Sequence, residues 1–135
     1  NGNITVAPGA GVSAAPYISF NMAGVPAAEL AQYNIKMSFY DAVYKKTVET
    51  TINLADPSVL SAGGKYYAYF YDMTIYSTNA EVVAEIYKDG NDTAISTYSY
   101  CFDSFINTNK NHAKMGAAIV ALGKLGQSFR AAKGV

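Results

Sequence analysis

The chain has 135 residues, half of them apolar, with ten basic and ten acidic side chains and a formal net charge of zero. That length suits one domain with a buried core, and the charge balance leaves no basic stripe for phosphates, so nucleic acid is not an expected partner. No apolar run reaches the roughly 18–20 residues of a membrane span, so no membrane insertion is expected.

The opening Asn1-Gly2-Asn3-Ile4-Thr5 has neither a basic n-region nor an apolar h-region, so it does not read as a signal peptide. Residues 1–16, rich in Gly, Ala and Pro, read as a lead-in with one short strand at 4–6 and then a loop. The domain proper is expected over 17–135. In 17–22, Ile18, Phe20 and Met22 point one way and Tyr17, Ser19 and Asn21 the other, a half-buried strand. Gly24-Val25-Pro26 ends it, and 27–32 suits one helical turn. Residues 34–42 alternate again, with Ile35, Met37 and Phe39 opposite Lys36, Ser38 and Tyr40. So do 46–54, with Val48, Thr50 and Ile52 opposite Thr47, Glu49 and Thr51.

Asp56-Pro57-Ser58 and Ala62-Gly63-Gly64 mark the next connection. A tyrosine-rich strand over 66–73 follows, then another over 82–87. Lys88-Asp89-Gly90-Asn91-Asp92 reads as a hairpin turn, since Asp-Gly favours positive φ, and 95–101 is the returning strand. From about 110 to 132 the period becomes helical: Met115, Ile119, Leu122, Gly126 and Phe129 fall on one face. Asn107-Thr108-Asn109 offers caps at its start, and Gly134 a stop. The glycines inside that helix cost about 1 kcal/mol each relative to alanine, which predicts close approach to a packed surface. The expected fold is mainly β (α+β): an antiparallel β-sandwich of six or seven strands, followed by one long amphipathic helix packed on it.

Several stretches also resemble a known module. Tyr17-Ile18-Ser19-Phe20-Asn21-Met22 is similar to its opening strand, and Asn34-Ile35-Lys36-Met37-Ser38-Phe39-Tyr40 to its second. Val82-Val83-Ala84-Glu85-Ile86-Tyr87-Lys88-Asp89-Gly90 resembles its recurrent I-x-A-x-L-Y-D-x-x-G strand and turn, and Thr97-Tyr98-Ser99-Tyr100 its T-Y-S-V. Residues 113–129 stand where it has an apolar helix ending in Y-G-A-A-A-Q. Over roughly residues 12–132 the chain therefore resembles, as a divergent member, a β-sandwich accessory module of large secreted proteins of gut and rumen Firmicutes. Leu125, Gln127 and Ser128 depart from its helix pattern, and Cys101-Phe102-Asp103 from its D-Y. The resemblance implies an extracellular or cell-wall setting beside glycoside hydrolases, leucine-rich repeats or dockerins.

The residues themselves offer little catalytic chemistry. His112 is the sole histidine, lies among asparagines and lysine, and reads as a surface helix cap. No nucleophile elbow, zinc-binding helix or nucleotide-binding glycine motif occurs, so no enzyme and no cofactor are expected. Asp89, Asn91 and Asp92 are explained as turn residues, and no metal is expected. Cys101 is alone and reads as a small buried hydrophobe. Asn3-Ile4-Thr5 and Asn91-Asp92-Thr93 match the glycosylation sequon, which a bacterial source would make irrelevant.

What remains is an aromatic platform for sugar rings, weighed against simple packing. On the tyrosine-rich strand, Tyr67, Tyr69, Tyr71 and Met73 share one face and Tyr66, Ala68, Phe70 and Asp72 the other. Counting back from the strand at 82–87 along the resembling module places the first set inward. Tyr66 and Phe70 then point outward, beneath the C-terminal helix or exposed, and Tyr40 and Tyr87 join them as candidate ligand-binding residues. The expected function is a non-catalytic module binding polysaccharide, or alternatively a structural spacer contacting a neighbouring domain of the same polypeptide.

Overall fold

A computed structural model describes residues 4–135; residues 1–3, including Asn3 of the first sequon, lie outside the described residues. The strands are β1 (Thr5–Val12), β2 (Pro16–Ala23), β3 (Tyr33–Asp41), β4 (Lys46–Asn53), β5 (Leu60–Ala62), β6 (Lys65–Phe70), β7 (Val82–Lys88) and β8 (Ser96–Tyr100). Two helices follow, α1 (Phe102–Asn109) and α2 (Gly116–Ala132). The strands form two four-stranded antiparallel sheets, ordered β1-β2-β6-β5 and β4-β3-β7-β8. The protein is thus mainly β, with a helical C-terminal part.

Alternation explains how the two sheets share one core. Ile18, Phe20 and Met22 of β2 and Ala68 and Phe70 of β6 join Ile35, Met37 and Phe39 of β3 and Val82, Ala84 and Ile86 of β7 in a single cluster. Phe70 and Phe39 meet across it near edge-on, with ring centroids 5.9 Å apart and planes at 80°. Such a pair contributes about 0.5–1.5 kcal/mol beyond the burial of its area.

The facing of β6 is the reverse of the sequence expectation. Ala68 and Phe70 are fully buried, Tyr66 packs half-buried on the core, and Tyr71 is exposed. The physical reason is the pairing with β2. Ile18 lies opposite Phe70, Phe20 opposite Ala68 and Met22 opposite Tyr66, so β6 extends the apolar face of β2. Phe and Ala bury no polar atom, whereas each tyrosine turned inward brings a hydroxyl that needs a partner. Met73 is buried as expected, but not by strand alternation, because β6 ends at Phe70.

At the edges of the first sheet, one strand is longer than expected and one is additional. β1 runs to Val12 rather than ending at residue 6. It is an edge strand, the setting in which a sheet tolerates a proline such as Pro8. β5, three residues long, was not expected at all, being too short to show alternation. It pairs with β6 across Gly63 and Gly64, whose φ angles of 59° and 79° suit a two-residue hairpin loop.

The helical part is two helices, not one. Phe102, Phe105 and Ile106 form the apolar stripe of α1, and Phe102 is fully buried. The intervening run Lys110-Asn111-His112 has no apolar residue to hold it on the core. His112 instead accepts at Nδ1 from the backbone N–H of Lys114 (3.2 Å) and Met115 (3.3 Å), just ahead of α2. The inward face of α2 also differs from expectation: Ile119, Gly126 and Arg130 are buried, while Met115 and Phe129 are exposed.

Fully buried Thr78 joins the two helices to the chain between the sheets. Its carbonyl accepts from Asp103 N–H at 2.9 Å and from the Cys101 thiol at 3.1 Å. Its hydroxyl accepts from Arg130 Nη1 at 2.7 Å, and the same nitrogen donates to the Tyr76 carbonyl at 3.3 Å. Burial pushes the Cys101 thiol and the Asp103 carboxyl to higher pKa, and the Arg130 charge partly offsets the latter.

Gly126 shows why α2 tolerates glycine. A Cβ there would strike the carbonyl oxygen of Ile75 and stand 2.9 Å from Thr78 Oγ1, whereas one at Gly123 meets the end of the flexible Ile106 side chain at 2.7 Å. Gly126→Ala should therefore destabilise by up to about 2 kcal/mol, because overpacking costs about 1–3 kcal/mol and the helix-propensity gain of about 1 kcal/mol offsets only part of it. Gly123→Ala should be neutral or stabilise by up to about 1 kcal/mol. Urea denaturation of the two variants checks the pair, and equal effects would contradict the close approach at Gly126.

Candidate functional site

The outer face of the first sheet carries a row of tyrosines beside small residues. Tyr17 of β2 lies opposite Gly11 of β1, Ser19 lies between Gly9 and Tyr69, and Asn21 between Ala7 and Tyr67. A Cβ at Gly11 would stand 2.7 Å from Tyr17 Cζ, so glycine is what lets this ring lie across the edge strand.

Three of these rings converge. The Tyr69 and Tyr71 rings are nearly parallel, at 10° with centroids 5.9 Å apart. Tyr17 is tilted against both, 5.2 Å from Tyr71 and 5.9 Å from Tyr69. Where β6 stops pairing, the edge strand β4 and the segment before β5 form an opposing wall. The result is an open cleft of about 660 Å³ lined by Tyr17, Thr50, Ile52, Ser58, Leu60, Tyr69, Tyr71 and Asp72. That volume falls in the range of about 300–1,000 Å³ usual for small-ligand sites. The Thr50 hydroxyl donates to Asp72 Oδ2 across the cleft.

The cleft combines apolar ring faces with hydroxyls and one carboxylate. This is the chemistry that stacks on the apolar side of a pyranose and bonds its hydroxyl groups. Burial first, and then the neighbouring phenols of Tyr17, Tyr71 and Tyr67, push the Tyr69 hydroxyl above the usual tyrosine pKa. The lining side chains suit no metal, and among the described residues no group of three or more His, Cys, Asp or Glu side chains is placed to hold one.

The residues expected from sequence to bind ligand do not gather into one site. Phe70 lies in the core and Tyr66 packs against it, which removes both from any surface platform. Tyr40 is exposed at the far end of β3, beside a small hollow of about 170 Å³ that it shares with Ala42, Tyr76, Ser77, Asn79 and Ala80. Tyr87 lies on the outer face of the second sheet, opposite Asn34. Its hydroxyl donates to Glu85 Oε2 at 3.2 Å, and Lys36 Nζ sits 5.7 Å from its ring centre. Tyr40 lies six positions along β3 from Asn34, or about 20 Å.

Sequence reasoning missed Tyr17, Thr50, Ser58, Tyr69, Tyr71 and Asp72 as a set. The outward facing of Tyr17 was readable from alternation. Its meeting with Tyr69 and Tyr71 was not, because it depends on β2 pairing with β6, across more than 40 residues of chain. No protein-family model, curated protein or solved structure matches the chain.

The raised Tyr69 pKa links folding to alkaline pH. The unfolded chain releases this proton near the ordinary tyrosine value of about 10, while the folded protein holds it to higher pH. The stabilising contribution is therefore intact below about pH 10 and is lost as pH rises through the folded-state value. Tyr69→Phe should flatten this part of the stability curve, measured by urea denaturation between about pH 9 and 11. An unchanged slope would contradict the burial of the phenol.

Proposed function

We propose that this chain is a non-catalytic accessory module, built as a β-sandwich, that holds a stretch of polysaccharide in its tyrosine-lined cleft. The observation that carries the reading is the convergence of Tyr17, Tyr69 and Tyr71 beside Thr50, Ser58 and Asp72. Tyrosine supplies broad contact at low conformational cost, and hydroxyls and a carboxylate supply orientation. The same lining favours binding over catalysis. Asp72 is its sole carboxylate among the described residues, and the usual glycosidase mechanisms use a pair. The resemblance to accessory modules of secreted Firmicutes proteins supports an extracellular or wall-associated setting.

A second reading, a spacer that docks on a neighbouring domain, draws on a separate aromatic ridge. Tyr76 meets Tyr44 at 6.2 Å and Phe129 at 5.6 Å, and the latter two are exposed. Asp41 fixes the turn before Tyr44 by accepting from Val43 N–H at 2.9 Å and Tyr44 N–H at 3.1 Å. Joined to its native neighbour, the module should then raise the neighbour's melting temperature, and Phe129→Ala should remove that gain. An unchanged melting temperature would remove this reading.

Affinity gel electrophoresis and calorimetry against a panel of plant and host glycans test the first reading. At least one polymer should retard the protein. Tyr71→Ala and Tyr17→Ala should each weaken that binding by about tenfold, the loss of a moderate interface anchor. Tyr40→Ala and Tyr87→Ala should leave it unchanged. Retardation by none of the polymers would sink the proposal.

A further inference from the structure

Resting on the glycan reading, we infer that the cleft selects uncharged sugars and rejects uronate, carboxymethyl or sulfate groups. The charge of the lining carries the inference. Of the eight lining residues, five are aromatic or aliphatic, two are hydroxyl residues and one, Asp72, is charged. No lysine, arginine or histidine is among them. Recognition of an anionic sugar calls for a cation or a row of backbone N–H donors to offset the desolvated charge. Here an anionic substituent meets a carboxylate instead.

Asp72 is also held where it faces the ligand. Phe70 and Met73, on either side of Tyr71 and Asp72, are both buried in the core. The Thr50 hydroxyl engages Asp72 Oδ2 from the opposite wall. That hydrogen bond orients the carboxylate, while its remaining lone pairs stay free to accept from sugar hydroxyls. Burial likewise disfavours a negative charge at Tyr69.

The basic residues nearest in sequence do not rescue an anionic ligand. Lys46 starts β4 opposite Asp41, and Lys65 starts β6 opposite Ala23 and Ala62, each several residues from the cleft-lining part of its strand. On the second sheet, Lys36 pairs with Glu85 at 3.4 Å and Lys88 with Glu29 at 3.3 Å.

Matched polymers that share a backbone and differ in charge provide the test. Suitable pairs are hydroxyethylcellulose with carboxymethylcellulose, and methyl-esterified with de-esterified homogalacturonan. Chelator is included so that no divalent cation bridges Asp72 to the polymer. For any backbone that binds, the charged form should bind about three- to tenfold more weakly at low salt, as expected for one like-charge contact open to water. Raising ionic strength from about 0.01 M to about 0.15 M, which shortens the Debye length from about 30 Å to about 8 Å, should narrow that gap. Asp72→Asn, which keeps an oxygen for Thr50, should narrow it too without a change in melting temperature.

Equal binding of both forms, or a gap that Asp72→Asn leaves intact, would overturn the selectivity while the glycan reading stands. Binding of charged forms alone would likewise overturn the selectivity, whereas failure of every polymer, charged or uncharged, to bind would overturn the glycan reading, and the selectivity would fall with it.

Discussion

The structure depends on one inter-sheet contact, the packing of Phe70 against Phe39. A strand alternates with period two, so burying Phe70 and Ala68 leaves Tyr67 and Tyr69 no choice but the outer face. The apolar face of β2 enforces the same register from the neighbouring strand. The tyrosine cleft is thus a consequence of where the phenylalanine goes. A one-residue slip of β6 would bring two hydroxyls into the core and dissolve the cleft together.

The tyrosine side of the cleft is secured by burial at both ends of a short segment. Tyr71 and Asp72 stand between Phe70 and Met73, both packed in the core. Further along, Thr78 ties the same stretch to α1 and α2 through Asp103, Cys101 and Arg130. This explains why a mainly β domain ends in helices that press so closely on a turn. The helices do not line the cleft; they hold the segment that leads away from it, and a preformed site loses less entropy on binding.

The two outer sheet faces differ in chemistry. On the second sheet, Lys36, Glu85 and Tyr87 engage one another, so charge and ring are already partnered. On the first, Gly9 and Gly11 clear space for Ser19 and Tyr17, and the Tyr17 ring lies over the glycine backbone rather than over a charge. That asymmetry, more than the number of tyrosines, sets the face of the proposed site apart from the other.

Alternation by itself determined most of the strand plan. The inward sets of β2, β3 and β7, the outward facing of Tyr17, and the parity of Val48 and Ile52 on β4 all follow from apolar residues at every second position. The hairpin at Gly90 follows from turn chemistry, with its φ of 87°. β6 resisted, because aromatic residues occur on both its faces and periodicity there has no polar side to point to. The break between α1 and α2 resisted as well, because a continuous helical period does not show where a chain must turn to reach Thr78. The partners across each sheet were set by tertiary structure alone. β2 and β6 are far apart in sequence, and only their pairing decides which tyrosines are buried, which converge, and that Asp72 faces Thr50. The physical reason is that local pattern encodes which residues alternate, whereas the side that faces the core depends on the neighbour that completes it.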